Sequence, residues 1–552
     1  MKMSAGALIW MIALSALSLG VEASEPRTYY VRTDGGTAAQ CSGQVDAPYV
    51  PGVSRDRCAW NNPMIALPSN GDGPGSTRLA PGDTLDIAPG EYQIGFGVPG
   101  AERCYSSATY ACTMGSPPSG RSAEQPTRIR GRLQDGKCVN KPVLWGSGGV
   151  MPVVVVRQAR DVVIECLEVT DHEGCVNNGN HPMACARPEG KPWGPWASVG
   201  LWAEDAERLI LRDLDIHGLA GSGVVAGRMK DLRVTRVRIA ANPMVGWDGD
   251  LWGQSKNSGY TGNNVFEELV LEWNGCAEGY PDKKPKGCFG QSAGGYGDGM
   301  GLAHTGGDFV IRDSIVRFNT SDGLDLLYHR AGGSILIERV HAEGNAGNQI
   351  KAAGSVTVRN SVILGNCGFF KDKPFTHHVD HCRAAGDALA VGNERAGEEA
   401  VIVNNTIVSA GNVTVLLSGP PDSRVTMRNN IVVGLPAFIS PGDQSADVYC
   451  YNTSSECKPW PTVDRQFDTV INVRSQRSYC RNPGMRCLSN VPPPYGLGRA
   501  DVNGIDARLP PGSIHRDAGT AHPAAGTLDA ARRARVVGSA IDRGALEAAP
   551  PR

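Results

Sequence analysis

The sequence predicts an all-β protein built as a solenoid of stacked coils, with disulfide-tied loops inserted between some of them. Three observations support this fold class: alternating apolar segments recur along the chain, 70 glycines suit many tight turns, and long helical patterns are hard to find. A solenoid also holds 552 residues in one body, a length that would otherwise suggest several domains.

Each repeat has an alternating apolar strand, a polar break such as Arg-Asp or Arg-Asn, and a second short strand. The starts of the copies lie 23 residues apart (209 to 232), 26 (309 to 335), 21 (335 to 356) and 24 (401 to 425). This period without helices is typical of one coil of a parallel β-solenoid, whose coils stack because none buries its apolar face alone. A β-propeller or sandwich would need regular antiparallel hairpins, which the sequence does not show. The copies occupy residues 162–171, 209–218, 232–241, 265–274, 309–319, 335–345, 356–366, 401–411 and 425–434.

The two ends of the chain agree with this fold. RLAPGDTLDIAPGEY (78–92) resembles the opening coil of many right-handed β-helix proteins, and SAIDRGALE (539–547) resembles their closing strand. We therefore expect one right-handed parallel β-helix domain at 24–548, with core coils at about 140–440, a C-terminal extension at 441–548 and a tail at 549–552.

The first 23 residues have the features of a secretory signal peptide. Lys2 supplies a positive charge, an apolar run follows to about Leu19, and Val21-Glu22-Ala23 has a small-x-small cleavage pattern. A retained N-terminal anchor is the alternative, but the remaining chain has no second long apolar run. We expect a secreted or periplasmic protein without a membrane partner after cleavage.

Charge and cysteine content narrow the partners and the compartment. The net charge is −2, so nucleic acid is not an expected partner, and we expect a monomer. Sixteen cysteines, many of them near neighbours, favour short disulfides in an oxidising compartment. A metal cluster is not favoured because no CxxC pair exists, and the connectivity stays open. The near neighbours are Cys41/Cys58, Cys104/Cys112, Cys175/Cys185, Cys276/Cys288, Cys367/Cys382, Cys450/Cys457 and Cys480/Cys487.

Three short segments, two of them acidic, occupy the same position in consecutive coils. Counting from the start of each repeat aligns SDGLD (321–325) with GNQIK (347–351), and GDGMG (297–301) matches one coil earlier. Since stacked strands lie about 4.8 Å apart, side chains at equivalent positions form ladders.

The alignment predicts a compact acidic patch. Asp298 lies over Asp322, Gly301 over Asp325, and Lys351 follows Asp325 one coil further on. Three carboxylates this close repel each other unless a cation compensates them. Calcium is the natural candidate, because it accepts several carboxylate oxygens in a flexible shell.

A purely structural role is the alternative for such turns. Asp and Asn in β-helix turns also bond backbone groups of the neighbouring coil. Asn319, Asn345 and Asn366 share one offset in the repeat, and we expect them to have that role.

The order of a DG coil, an (S/D)DGxD coil and a coil ending in GNxxK resembles the family-nine polysaccharide lyases, which are pectate-lyase-like right-handed β-helices. The resemblance is specific over about residues 295–355. It implies that Asp298, Asp322 and Asp325 bind Ca²⁺ and that Lys351 is the catalytic base. It also implies an acidic, uronate-containing polysaccharide as the substrate.

One position departs from the family pattern. Ser321 stands where the family usually has another aspartate, which removes a possible calcium ligand. Asp248 or Asp250, in DGDLW (248–252), can replace it, but the spacing does not align them.

The implied reaction is β-elimination beside a uronate carboxylate. Lys351 removes the C5 proton while calcium stabilises the developing charge on the carboxylate. A free lysine has a pKa near ~10.4, so the base must be brought to its neutral form: calcium and burial lower its pKa, and the aspartates raise it. The alternative role of Lys351 is an ion pair with Asp325.

Further residues are candidates for substrate binding. Arg330 can hold a substrate carboxylate, and His304 or Tyr328 can protonate the leaving oxygen, although each can equally be a surface or loop residue. Trp247 and Trp252 can stack on sugar rings or serve as core or surface residues.

A histidine cluster at 377–381 raises a separate possibility. His377, His378 and His381 lie beside Cys382, and a zinc site is conceivable there. A Cys367–Cys382 disulfide loop with surface histidines is the favoured interpretation.

Two other functions stay open. A polygalacturonase-like glycoside hydrolase on the same fold would use Asp322 and Asp325 as paired carboxylates. A non-catalytic adhesin or glycan-binding solenoid would bind polysaccharide without shortening it.

Overall fold

The computed structural model describes residues 25–52, 54–69, 77–189, 192–289, 297–327, 329, 332–373, 376–377, 388–411, 413–420, 422–435, 446–450, 462–471, 484–488 and 491–549. The predicted signal peptide lies outside these residues. No α-helix occurs in the described part of the chain, and no helix there is long and apolar enough to cross a membrane.

Three long sheets, each entirely parallel, form the body of the molecule and confirm the predicted parallel β-helix. Most coils contribute in turn to the first, second and third sheet. The first sheet contains, in spatial order, Thr28–Gly36, Thr84–Ile87, Thr127–Gly131, Arg160–Glu165, Glu207–Arg212, Arg233–Thr235, Asn263–Glu267, Asp308–Arg312, Ile335–Glu338, Val356–Arg359, Glu399–Val403, Arg424–Arg428 and Thr462–Gln466.

The second sheet follows the first after a short corner in each coil. It contains Glu91–Ile94, Val143–Gly146, Glu168–Asp171, Asp215–His217, Arg238–Ala240, Val270–Glu272, Ile315–Arg317, His341–Glu343, Val362–Gly365, Thr406–Ser409, Ile431–Gly434, Thr469–Ile471 and Arg486–Leu488.

The third sheet carries the acidic segments found in the sequence. Its strands are Val154–Arg157, Val199–Glu204, Ser222–Gly227, Val245–Asp248, Met300–Leu302, Leu324–Leu326, Ile350–Ala353, Leu389–Gly392, Val413–Ser418 and Ala446–Cys450.

Short elements lie in the loops. Two-stranded pairs join Ala277–Glu278 to Pro285–Lys286, Cys288–Phe289 to Thr376–His377, and Arg499–Asp501 to Gly504–Asp506. Short 3-10 helices occur at Arg55–Arg57, Pro63–Ile65, Ser106–Ala111, Ser255–Asn257, Cys367–Phe370 and Pro523–Ala525.

The register follows the predicted repeat closely. Phe309 pairs with Ile335, and Ile335 pairs with Val356, as the spacing requires. Near the C-terminal end Ala400 pairs with Val425, a separation one residue longer than the spacing of 24 suggests. The paired strands also extend beyond the expected 140–440 range, from Thr28 to Leu488.

The polar break in each repeat forms the corner between the first and second sheets. One residue there adopts a left-handed conformation with φ between +51° and +58°. Asn and Asp tolerate this region better than other non-glycine residues, which explains the recurring Arg-Asp and Arg-Asn pairs. The corner residues are Cys166, Asp213, Arg236, Glu268, Asp313, Arg339, Asn360, Asn404, Asn429 and Phe467.

The core lies inside the coils, where alternate residues of each strand point inward. In the first sheet Leu211, Val234, Phe266, Ile311 and Ile337 pair in succession and are fully buried. Such apolar ladders bury the inward face of every coil against its neighbours.

A ladder of buried side-chain amides supports the corner before the third sheet. Asn242 donates to Asn274, Asn274 to Asn319 and Asn319 to Asn345, at 2.8–3.1 Å. The predicted role of Asn319 and Asn345 is therefore confirmed. Asn366 departs from the ladder, since its side chain accepts from the Gly344 amide and donates to a carbonyl of the C-terminal segment.

The expected closing strand at 539–547 is wrong, since that segment contains no strand. The C-terminal segment instead runs irregularly along the corner between the first and second sheets. Corner amides of Asn360, Asn404 and Asn429 donate to its backbone carbonyls at 2.7–3.0 Å. The opening coil at 78–92 forms strands as expected, and Thr28–Gly36 adds one more strand in front of it.

Four of the predicted cysteine pairs form disulfides: Cys41–Cys58, Cys104–Cys112, Cys175–Cys185 and Cys276–Cys288. A fifth, Cys138–Cys166, links cysteines 28 residues apart and was not expected from neighbour spacing. Cys367 and Cys487 are also disulfide-bonded, while Cys382, Cys457 and Cys480 lie outside the described residues.

Candidate functional site

The acidic segments meet on the outer face of the third sheet. In successive strands Asp248 pairs with Gly301, Gly301 with Asp325, and Asp325 with Lys351. Alternation explains the orientation, because Leu324 and Leu326 on either side of Asp325 are fully buried in the core. The predicted register of Asp325 and Lys351 is confirmed, and Asp248 joins the same ladder two coils before Asp325.

Asp298 and Asp322 lie at the turns that enter this sheet. Asp298 Oδ1 accepts a 2.9 Å hydrogen bond from the Asp322 amide, and Asp322 Oδ1 accepts from the Asn348 amide and side chain at 2.6 and 3.0 Å. The predicted order of Asp298, Asp322 and Asn348 is thus confirmed. Each carboxylate uses one oxygen to bond the backbone of the next coil, which is the structural role foreseen as the alternative.

Lys351 pairs with two of the carboxylates. Its Nζ lies 3.2 Å from Asp325 Oδ2 and 3.5 Å from Asp322 Oδ2. Burial lowers the pKa of this ammonium, but the charges of Asp322 and Asp325 outweigh burial and raise the pKa above its ordinary value. In this arrangement Lys351 is a cation rather than a base.

Gly301 opens a gap in the ladder between Asp248 and Asp325. A Cβ at this position would lie 3.0 Å from Asp298 Oδ2, so that oxygen faces the space which a side chain would fill. The gap belongs to a groove of about 450 Å³ lined by the carboxylates Asp248, Asp298 and Asp325 and by several apolar side chains.

Burial and mutual repulsion make these carboxyls hard to ionise. Burial, followed by the charges of Asp322 and Asp325, raises the pKa of Asp298 well above its usual value. Burial raises the pKa of Asp248 to about 7, even though it accepts hydrogen bonds from the Asp250 amide and the Trp252 indole. A bound cation would relieve this penalty.

The residues fit a divalent cation in composition. Asp250 also lines the groove, and its buried Oδ1 has no hydrogen-bond partner among the described residues. Asp298 Oδ2 faces the gap at Gly301. However, no three carboxylate, imidazole or thiol groups of the described residues converge closely enough to hold a metal as they stand. Binding would require these side chains to turn toward the ion and Lys351 to move away.

The other predicted residues have mixed outcomes. Trp247 is fully buried and donates to the Tyr260 hydroxyl at 3.1 Å, so of its two possible roles it has that of a core residue and does not stack on sugar rings. Trp252 is exposed and lines the groove. His304 follows strand Met300–Leu302 and is half-buried. Burial raises the pKa of the Asp250 carboxyl above its usual value.

Several candidates lie outside the part of the chain whose side chains are described. These are Tyr328, Arg330, His377, His378 and His381. Their predicted roles in substrate or zinc binding stay predictions.

No protein-family model and no curated protein sequence matches the chain. Among solved structures, it is similar to the pectate lyase Pel9A, with 14% identity, a TM-score of 0.45, and coverage of 95% of this chain and 97% of that one. A rhamnogalacturonan lyase gives 14% identity and a TM-score of 0.40, with 80% and 87% covered. The A-module of the mannuronan C-5 epimerase AlgE4 from Azotobacter vinelandii gives 13% and 0.38, with 74% and 87% covered.

Proposed function

We propose that this protein is a secreted polysaccharide lyase that cleaves a uronate-containing polymer by β-elimination, with Lys351 as the base and Ca²⁺ as the cofactor. The supporting observation is the register that brings Lys351 next to Asp325 and Asp322 at the edge of an acidic, open groove. The disulfides, which are typical of oxidising compartments, support export.

Calcium would be held by Asp298, Asp322 and Asp325, with Asp248 or Asp250 in place of the ligand that Ser321 does not supply. When bound, the ion stabilises the charge that develops on the uronate carboxylate.

Lys351 performs the proton transfer. Its neutral amine takes the C5 proton, the C5–H electrons form the C4–C5 double bond, and the C4–O bond breaks. The leaving oxygen takes a proton from His304, which directly follows the groove-lining Ala303, or from water. The reaction therefore requires Lys351 to leave its pairs with Asp325 and Asp322 and to lose its proton.

The deciding experiment is a screen of uronate polymers, with and without calcium, monitored in the ultraviolet. Elimination leaves an unsaturated uronate that absorbs there, whereas hydrolysis does not. Shortened polymer with no absorbance change contradicts the lyase proposal, and binding without shortening supports a glycan-binding module.

A glycoside hydrolase is the second candidate, and one observation favours it. Hydrolysis needs one protonated and one ionised carboxyl group on either side of the bond. Asp248, whose pKa burial raises to about 7, lines the same groove as Asp325 and is a candidate acid. Reducing ends formed without ultraviolet absorbance would identify this activity.

A further inference from the structure

Two tryptophans extend the groove toward the N-terminal coils. Trp252 lines the groove together with Asp298 and Asp325, and 39% of its surface is exposed. Its ring contacts Trp202 edge to face, with centroids 5.3 Å apart. An aromatic surface therefore continues from the acidic ladder along the axis of the solenoid.

Hydrogen bonds fix the orientation of both indoles. Trp252 Nε1 donates to Asp248 Oδ2 and Trp202 Nε1 donates to Glu204 Oε2, each at 3.2 Å. Both indole N–H groups thus have a carboxylate acceptor within the protein, and the exposed part of Trp252 is the apolar face of its ring. A fixed aromatic ring binds at a low entropic cost, because little side-chain freedom is left to lose.

Trp202 also packs on a buried apolar patch, which holds its ring in place. Val199, Val225 and Leu251 are buried there, and the partly buried side chains packed on them are Met151 and Trp202. The exposed part of the Trp252 ring, which lines the groove, stays accessible to a ligand.

A positive charge lies at the far side of this aromatic surface. The Arg157 guanidinium carbon is 6.0 Å from the centre of the Trp202 ring, and its side chain is 42% exposed. Its nearest carboxylate is Glu204 at 3.5 Å, too long for a tight bidentate pair. Arginine in this position complements a carboxylate carried on a sugar ring.

We propose that Trp252, supported by Trp202 and flanked by Arg157, forms a subsite for a uronate unit distant from the bond that is cleaved. The inference rests on the proposed function, since it assigns a second contact to the same polymer. Asp248, which holds Trp252, lies three strands from Lys351 in the ladder, roughly 14 Å at about 4.8 Å per strand. Only a chain of several units spans that distance.

The test measures binding apart from catalysis. In a Lys351→Ala background, which removes the proposed base, Trp252→Ala should weaken binding of long uronate oligosaccharides about ten-fold, while Trp252→Phe should weaken it less. The affinity for oligosaccharides too short to reach from the Lys351 site to Trp252 should not change. Tyr280→Ala is the matched control, because Tyr280 is 48% exposed but lies in the Cys276–Cys288 loop, outside the groove lining.

In the active protein, Trp252→Ala should lower the ratio of kcat/KM for long over short oligosaccharides about ten-fold. An unchanged ratio, together with unchanged affinity for long chains, overturns the subsite. If the wild-type protein cleaves no uronate polymer, the lyase proposal fails, and the binding arm still decides whether Trp252 contacts the polymer.

Discussion

At the scale of single residues, the ion pair that Lys351 makes is incompatible with its proposed role as a base. Paired with Asp325 and Asp322 it is charged, since these carboxylates raise its pKa, whereas the proposed reaction needs it neutral. A cation among the carboxylates would remove their hold on the ammonium. In the proposed mechanism, ion pair and base are two states of Lys351, and calcium occupancy would select between them.

Replacing Lys351 tests the base directly. Both Lys351→Ala and Lys351→Arg should lose about 10²–10⁴-fold in turnover, because arginine stays protonated and cannot accept the C5 proton. Ultraviolet rates and unfolding curves for both variants provide the measurement. If Lys351 only neutralises Asp325, arginine will substitute well, so an active Lys351→Arg protein contradicts the proposal.

The pH dependence follows from the raised pKa of Lys351. The fraction of neutral amine grows as the pH rises, so the rate should increase with pH and this increase should vanish in Lys351→Ala. Asp322 and Asp325 raise the pKa of Lys351, and calcium bound to them would weaken this effect, so adding calcium should move the increase to lower pH. Rate–pH profiles measured at several calcium concentrations check this. A profile that calcium does not shift would contradict the claim that calcium controls the protonation of Lys351.

Asp298 allows a separate test of charge against hydrogen bonding. Its folded-state pKa is raised, so its ionised form is disfavoured in the folded protein, and stability without calcium should fall as the pH rises above the unfolded pKa near ~3.9. Asp298→Asn should therefore raise the melting temperature at neutral pH. Asp298→Ala should lower it, because the Asp322 amide loses its acceptor, at a cost of about 1–3 kcal/mol.

Melting curves of the two Asp298 variants in chelator decide the point. Equal melting temperatures for wild type and Asp298→Asn at neutral pH would mean that the carboxylate carries no charge penalty.

At the scale of elements, the amide ladder holds consecutive coils together. Asn319 accepts from the amide and side chain of Asn274 and donates to Asn345, all in the buried interior. Asn319→Ala should destabilise the fold by about 1–3 kcal/mol or more, because buried partners lose their bonds. Denaturant unfolding measures the effect, with the exposed Asn180→Ala as the control. Equal losses of unfolding free energy in Asn319→Ala and Asn180→Ala would contradict a stabilising role of the ladder.

The sequence predicted the first two sheets better than the third. Strands such as 309–319 show strong alternation and a polar corner, but Met300–Leu302 and Leu324–Leu326 are three residues long and lie among glycines. Counting the same offset from the start of each repeat still placed Asp322 and Asp325 correctly. Asp248 could not be aligned, because a long insertion separates its strand from Met300–Leu302.

The missed disulfide has a similar physical reason. Cys138 lies in a loop and Cys166 at the corner of the next coil, so their proximity depends on stacking and not on separation along the chain. At 539–547 the error is the reverse: a strand was predicted and the structure has none. The apolar residues of this segment pack on the outside of the corner, where Ile541 joins Val403 and Ala525.

At the scale of the whole molecule, calcium should act as a clamp between coils. Its proposed ligands come from successive turns of the solenoid, and a ligand that binds only the folded protein stabilises it by about 2.7 kcal/mol at a hundred times its Kd. Calcium should therefore raise the melting temperature of the wild type. Asp325→Asn should lose this increase, since the amide keeps the shape of the side chain and the backbone pairing with Gly301 and Lys351 but lacks the charge that a cation binds. Asp56→Asn, at an exposed position far along the chain, should keep the increase. Identical melting curves in calcium and in chelator would contradict the calcium site. Lys351 would then serve as the counter-charge of the carboxylates, and the glycoside hydrolase would become the favoured function.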